Sequence, residues 1–169
     1  MAISLYSGFV PVCLQLLGGL KSVLQKTEAH ANEHKWDAGV VLNLRLYPDM
    51  FPLERQVRQV CNHALGAARV AGVDLPSLPD ADNSFAEVYA RIDKTVDFLK
   101  GLSASQLDGK DDSQVTVTVG GQPRNFKASN YLYHFAMLQV QFHCTTAYDI
   151  VRHVGVNVGK RDYLGPQPS

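Results

Sequence analysis

Apolar residues recur at three- and four-residue spacing over four long stretches of the chain, and each stretch predicts a helix with one buried face. The first runs from about Ser4 to Thr27, with Leu5, Phe9, Cys13, Leu16, Leu17, Leu20, Val23 and Leu24 on its stripe. Pro11 predicts a kink or the true first turn, while Gly18 and Gly19 predict close approach by a neighbour. The polar run EAHANEHK, residues 28–35, extends this helix or frays from it. Trp36 and residues 37–46 read as a short helix and a connection. For the second long helix Asp49 is the expected N-cap, with Pro52 in the first turn. Its stripe is Leu53, Val57, Val60, Ala64, Ala67, Ala68 and Ala71, and Gly72 is placed to end it. Ser84 followed by Glu87 signals a capping box for the third helix, whose stripe is Phe85, Val88, Ile92, Val96 and Leu99, as far as Gly101. Residues 103–106 start one further turn.

After that the period falls to two. VTVTV, residues 115–119, alternates as a strand does, Gly120 and Gly121 supply a tight turn, and Gln122 to Lys127 returns. Ser129 is the expected cap of the fourth helix, which reaches Gly155 with Leu132, Ala136, Val140, Ala147, Ile150, Val151 and Val154 on its stripe. Residues 155–169 leave it as an extended tail. Its Lys160, Arg161, Asp162, Tyr163 and Leu164 are expected to dock onto the chain's own helices. The pattern as a whole predicts an all-α fold, a four-helix bundle with a small β-hairpin between helices three and four, as one domain over residues 1–169.

Composition narrows the picture. The 169 residues suffice for one core of ordinary size. Lys plus Arg and Asp plus Glu both number 16, so no basic excess points to nucleic acid or anionic lipid, and neither is an expected partner. The three cysteines, Cys13, Cys61 and Cys144, are odd in number and lie within apolar helical patterns, which predicts buried free thiols in a reducing compartment. The apolar start resembles a signal peptide, but no positive charge precedes Lys21 and the segment runs on into an amphipathic repeat. No other apolar run is about 18 residues long, so a soluble cytoplasmic protein without membrane contact is expected.

Candidate chemistry sits on helix four. At a turn of about 100° per residue, His143 falls roughly 40° from the centre of the apolar stripe, and Gln139 lies one turn earlier at its margin. Buried polar groups need partners. A pocket of Gln139, His143, Tyr133 and Thr146 is expected, with Tyr148 a further partner for the imidazole. His63 lies at the border of the second helix's stripe, near Gln56. Two readings stay open: His63 and His143 hold a divalent metal such as Zn²⁺ or Ni²⁺, or the imidazole belongs to a self-satisfied polar cluster. Other features read as ordinary structure. Cys144 points about 100° away from His143 and reads as a core thiol. His134 lies on the polar face, and His153 borders Phe135 and Phe142 as a packing residue. His30 and His34, four apart on one face, could grip a metal, but no third ligand is apparent and a solvated surface pair is expected. GGQPRN lacks the spacing of a phosphate loop.

RLYPDMFPLERQV, YLYHFAM and FHCTTAYDIVRHVGVNVGKRDYLG together resemble an uncharacterised domain-of-unknown-function family within the DinB/YfiT-like superfamily of metalloenzymes, over almost the whole chain. The resemblance implies a bundle in which one histidine on helix two and two histidines four apart on helix four hold a metal. His143 matches the second helix-four ligand, the first falls on Gln139, and His63 best fills the helix-two place. An amide in place of an imidazole departs from the pattern and weakens affinity for a transition metal. The resemblance further implies a homodimer and a thiol- or water-activating transferase or hydrolase acting on an unknown small molecule. It singles out no catalytic residue, and the alternative is a metal-free small-ligand-binding or structural homodimeric bundle.

Overall fold

The structure is a computed structural model that describes residues 3–79 and 83–166. The ends of the predicted start and tail, and residues 80–82 of the connection after the second helix, lie outside the described residues. The chain is mostly helical, with one two-stranded antiparallel sheet.

Helix α1 (Leu5–Glu33) is opened by Ser4, whose Oγ accepts from the Ser7 N–H while its own N–H donates to Ser7 Oγ. This capping box satisfies donors that the first turn leaves without helical partners. The predicted stripe is buried, Pro11 lies inside the helix, and the polar run continues it to Glu33. Among the described residues α1 alone is long and apolar enough to cross a membrane by length and composition; here its apolar stripe forms a wall of the core. Lys35, at φ 57°, then turns the chain back. Helix α2 (Ala38–Leu42) is capped by Asp37, whose Oδ1 accepts from the Val40 N–H at 3.0 Å.

Helix α3 (Leu53–Ala64) starts directly after Pro52, which takes the N-cap place. Asp49 is therefore not the cap. The Leu53 N–H donates to Leu44 O at 2.8 Å, closing residues 44–53 into a loop that leaves Asp49 in its turn. The predicted second helix is also broken at Leu65, where ψ reaches 0°, and resumes as α4 (Gly66–Ala71). Gly72 ends it at φ 74°, a left-handed conformation that glycine adopts without steric cost. Helix α5 (Phe85–Gly101) carries the predicted Ser84–Glu87 box, and α6 (Ala104–Leu107) adds one turn.

Strands β1 (Gln114–Val119) and β2 (Gln122–Lys127) pair from Gln114↔Lys127 to Val119↔Gln122 across the two-glycine turn. Val115 and Val117 face inward while their neighbours face out, the alternation expected of a half-buried strand. The last long rod has three sections: α7 (Ala128–Asn130), a π-helical segment π1 (Tyr131–Ala136) and α8 (Met137–His153). Lys127, not Ser129, takes the N-cap place, because Ser129 Oγ donates sideways to Asp111 O at 3.1 Å. The tail is not extended either. Val156 and Val158 are buried, and the chain closes with a short helix α9 (Lys160–Leu164) seated on α1 and α8.

Helices α1, α3, α5 and α8 surround the core, with α3 and α8 the most intimately packed pair. Leu17, Leu24, Leu53, Ile92, Leu99, Leu132 and Ile150 are among its fully buried side chains, each stabilising by about 1.5–3 kcal/mol on removal from water. Cys13, Cys61 and Cys144 are buried free thiols, and burial pushes Cys13 and Cys144 well above the ordinary thiol range. They are core residues rather than nucleophiles.

Candidate functional site

The candidate site lies at the α3–α8 seam. Gln56, in the first turn of α3, is 1% exposed, so its amide must find partners inside the protein. Its Nε2 donates to Phe51 O at 2.9 Å, which leaves Oε1 to face α8. There it accepts from His143 Nδ1 at 2.7 Å. An amide oxygen cannot donate, so Nδ1 carries the proton and Nε2 keeps the lone pair in the neutral ring. The ring lies nearly parallel to Phe51, centroids 6.2 Å apart, and to His63, 6.0 Å apart, and meets Phe142 in a T-shaped arrangement with centroids 5.2 Å apart.

Burial, and secondarily the neighbouring His63, pulls His143 down to about 4. Burial lowers His63 as well. Desolvation disfavours an imidazolium more than an imidazole, so both rings are neutral near pH 7. Two uncharged imidazoles thus stand together, one of them with a fixed tautomer.

They line a cleft of about 490 Å³. Gln59, Asn62 and His63 form its α3 wall, Tyr131, Phe135 and Gln139 the wall from the last rod, and Thr116 to Gly120 of the hairpin close the third side. Arg69 from α4 is the one permanently charged side chain among the described lining residues. No carboxylate or thiolate stands among them, so the donors available to a divalent ion are two borderline imidazoles and the harder, weaker amide oxygens of Gln59, Asn62 and Gln139. Imidazole nitrogen suits Zn²⁺ and Ni²⁺, but two imidazoles without a carboxylate or thiolate give such an ion an incomplete donor set.

His63, Gln139 and His143 are brought together as lining of this one cleft. Tyr133 and Thr146 are not. Tyr133 points to the start of α1, where its hydroxyl donates to Ser4 O at 2.7 Å. Thr146 folds back on its own helix and donates to Phe142 O at 2.9 Å, so it satisfies itself rather than the imidazole. Tyr148 meets Tyr163 of the tail edge-on, away from the cleft. His153 is exposed and is not a packing residue. The partner the sequence did not reveal is Gln56; its place four residues before Val60 and seven before His63, facing the core, is the signal that could have marked it. Arg69 and Phe51 carried no pattern of their own, and the alternation that marked the hairpin did not show that it walls the cleft. At the far end of α1, Glu33 supplies the third neighbour that His30 and His34 lacked in sequence: the ligand atoms of the three lie within 4.8 Å of one another.

None of the curated proteins matches this chain. Among solved structures, the crystal structure of a DinB family member protein from Shewanella denitrificans is 34% identical, with a TM-score of 0.86 over 98% of this chain and 94% of that one. A family model described as a domain of unknown function, DUF1993, matches residues 5–164. The chain therefore belongs to the DUF1993 family, a domain of unknown function with a DinB-like fold.

Proposed function

We propose that this protein is a DinB-type enzyme of four-helix-bundle form, in which His63, His143 and Gln139 hold a divalent metal, zinc or nickel, beside a small-molecule cleft. The observation that carries the reading is the Gln56–His143 hydrogen bond. A second residue that occupies one ring nitrogen and aims the other is the arrangement that orients metal-binding histidines. A bound cation would supply Lewis-acid polarisation of a water or a thiol substrate. The chain's own residues do the rest. Gln56 fixes the His143 tautomer, the hairpin and Phe135 limit the access of water, and Arg69 favours substrates that bring a negative charge. We further infer that the protein works in the reducing cytoplasm, where its thiols stay free, and that it acts as a homodimer.

Metal content of protein purified without an affinity tag tests the reading. The expected result is stoichiometric zinc or nickel that is lost in His143→Leu and bound more tightly in Gln139→His. Substoichiometric metal independent of His143 would sink it. The lack of a carboxylate or thiolate among the described residues of the cleft favours a second reading, a metal-free binding pocket in which the two neutral imidazoles accept hydrogen bonds from a small ligand. On that reading Gln139→His gains no metal.

A further inference from the structure

The last turn of α1 carries a second set of ligating side chains. His30, Glu33 and His34 follow the H-x-x-E-H spacing, which puts both imidazoles on one helix face with a carboxylate beside them. Their ligand atoms lie within 4.8 Å of one another, and the imidazole centroids are 4.0 Å apart. His34 Nδ1 lies 2.9 Å from His30 O, a group that can only accept. Nδ1 therefore carries the proton, and Nε2 is left with the lone pair, as in histidines oriented for a metal by a backbone carbonyl.

The chain then turns at Lys35, whose φ of 57° is uncommon for a residue with a side chain. The turn returns the Trp36 N–H to Ala31 O at 2.8 Å and lays the indole 5.1 Å from His30 and 5.3 Å from His34. The pair is thus walled on one side by an aromatic ring and open to solvent on the other.

We propose that His30, Glu33 and His34 form a surface site for a borderline transition-metal ion, Cu²⁺ or Zn²⁺, separate from the cleft. Metal–nitrogen bonds of about 2.0–2.1 Å require ligand atoms about 3.3 Å apart in a tetrahedron, and rotations of these accessible side chains close the remaining distance. Water fills the open positions. The donor set of two imidazoles and a carboxylate follows the usual divalent order, so Cu²⁺ binds more tightly than Zn²⁺.

Trp36, the only tryptophan in the chain, makes the site report on itself. Titrating Cu²⁺ into the full, tag-free, chelator-stripped protein is expected to quench Trp36 fluorescence to a plateau at one ion per site, at micromolar concentration. Excess chelator restores it, and Zn²⁺ competes. His30→Ala and His34→Ala each weaken binding by about tenfold or more, and Glu33→Gln by less. Circular dichroism checks that the helix survives each change. His143→Leu leaves the titration unchanged, so loss of the cleft metal and loss of this site are read separately. A quench that reaches no plateau below millimolar Cu²⁺, that ignores His30→Ala, or that disappears in His143→Leu overturns the proposal.

Discussion

Because the Gln56 amide is anchored through Nε2 by the Phe51 carbonyl, it can offer only its oxygen to His143 and so fixes the tautomer, while burial keeps the imidazole neutral. That state has a pH signature. The folded chain lowers His143 from 6.5 to about 4, so the unfolded chain takes up the proton first as the pH falls. The stabilisation is fully present above about pH 6.5 and is lost as the pH falls toward 4, by up to about 3 kcal/mol. His63, lowered in the same sense, adds to the slope. Melting temperatures measured with chelator from pH 8 down to 5, above most carboxylate titration, are expected to fall in the wild type and to fall less steeply in His143→Leu. The variant melts lower at pH 8, since Gln56 Oε1 loses its donor at a cost of about 1–3 kcal/mol, and the gap narrows as the pH falls. Equal slopes in the two proteins would mean that His143 is solvated in the folded state.

At the scale of elements, the tail shows how a glycine can be fixed by packing rather than by backbone angle. A Cβ on Gly19 would run into the carbonyl of Tyr163 and stand 3.0 Å from that of Asp162, both in α9. A Cβ on Gly18 would meet only Pro166, at 3.6 Å, an ordinary contact. Alanine stabilises a helix interior by about 1 kcal/mol over glycine, so the two neighbouring substitutions should differ in sign. Gly18→Ala is expected to be neutral or to stabilise by up to about 1 kcal/mol, whereas Gly19→Ala destabilises by about 1–3 kcal/mol by displacing α9. Denaturant titration compares them directly, and equal effects would show that α9 is not held against α1. The same helix explains what the sequence could convey. Long amphipathic stripes and the alternating hairpin were legible because each is a local period; His143 and Gln139 stood out as polar residues within or beside such a stripe, whereas His63, at the border of its own stripe, was singled out chiefly by the family resemblance. Features set by distant contacts were not legible. A five-residue α9 exists because Gln15 Nε2 donates to Leu164 O and Lys26 pairs with Asp162. Tyr133 was misplaced for a related reason: over Tyr131–Ala136 the rod is π-helical, with a wider turn. A count at 100° per residue back from His143 therefore slips in phase and points Tyr133 into the wrong neighbourhood. Gln56 depended on the register of α3 against α8, which neither helix encodes alone.

For the whole molecule, the remaining question is what covers the outer face of α8. Leu138 and Phe142 stand one turn apart there and are 56% and 58% exposed, although single exposed apolar residues are ordinary on any protein surface. Two further facts make this pair more than ordinary. Phe142 touches His143 edge-on, so the apolar face adjoins the cleft. The chain also carries a formal net charge of zero, so two copies meet no long-range repulsion. A homodimer formed across α8 would bury both side chains and place the two clefts near the shared interface. Sedimentation velocity at micromolar concentration is expected to give a dimer for the wild type and a monomer for Leu138→Glu. Leu138 is the residue to change, because Phe142 also packs on His143 and its replacement would disturb the cleft. Since the Leu138 side chain is largely in water within one chain, the variant's secondary structure should be unaltered, and the effect is then one of association alone. A wild-type monomer, or a Leu138→Glu protein that still sediments as a dimer, would move the interface elsewhere or remove it.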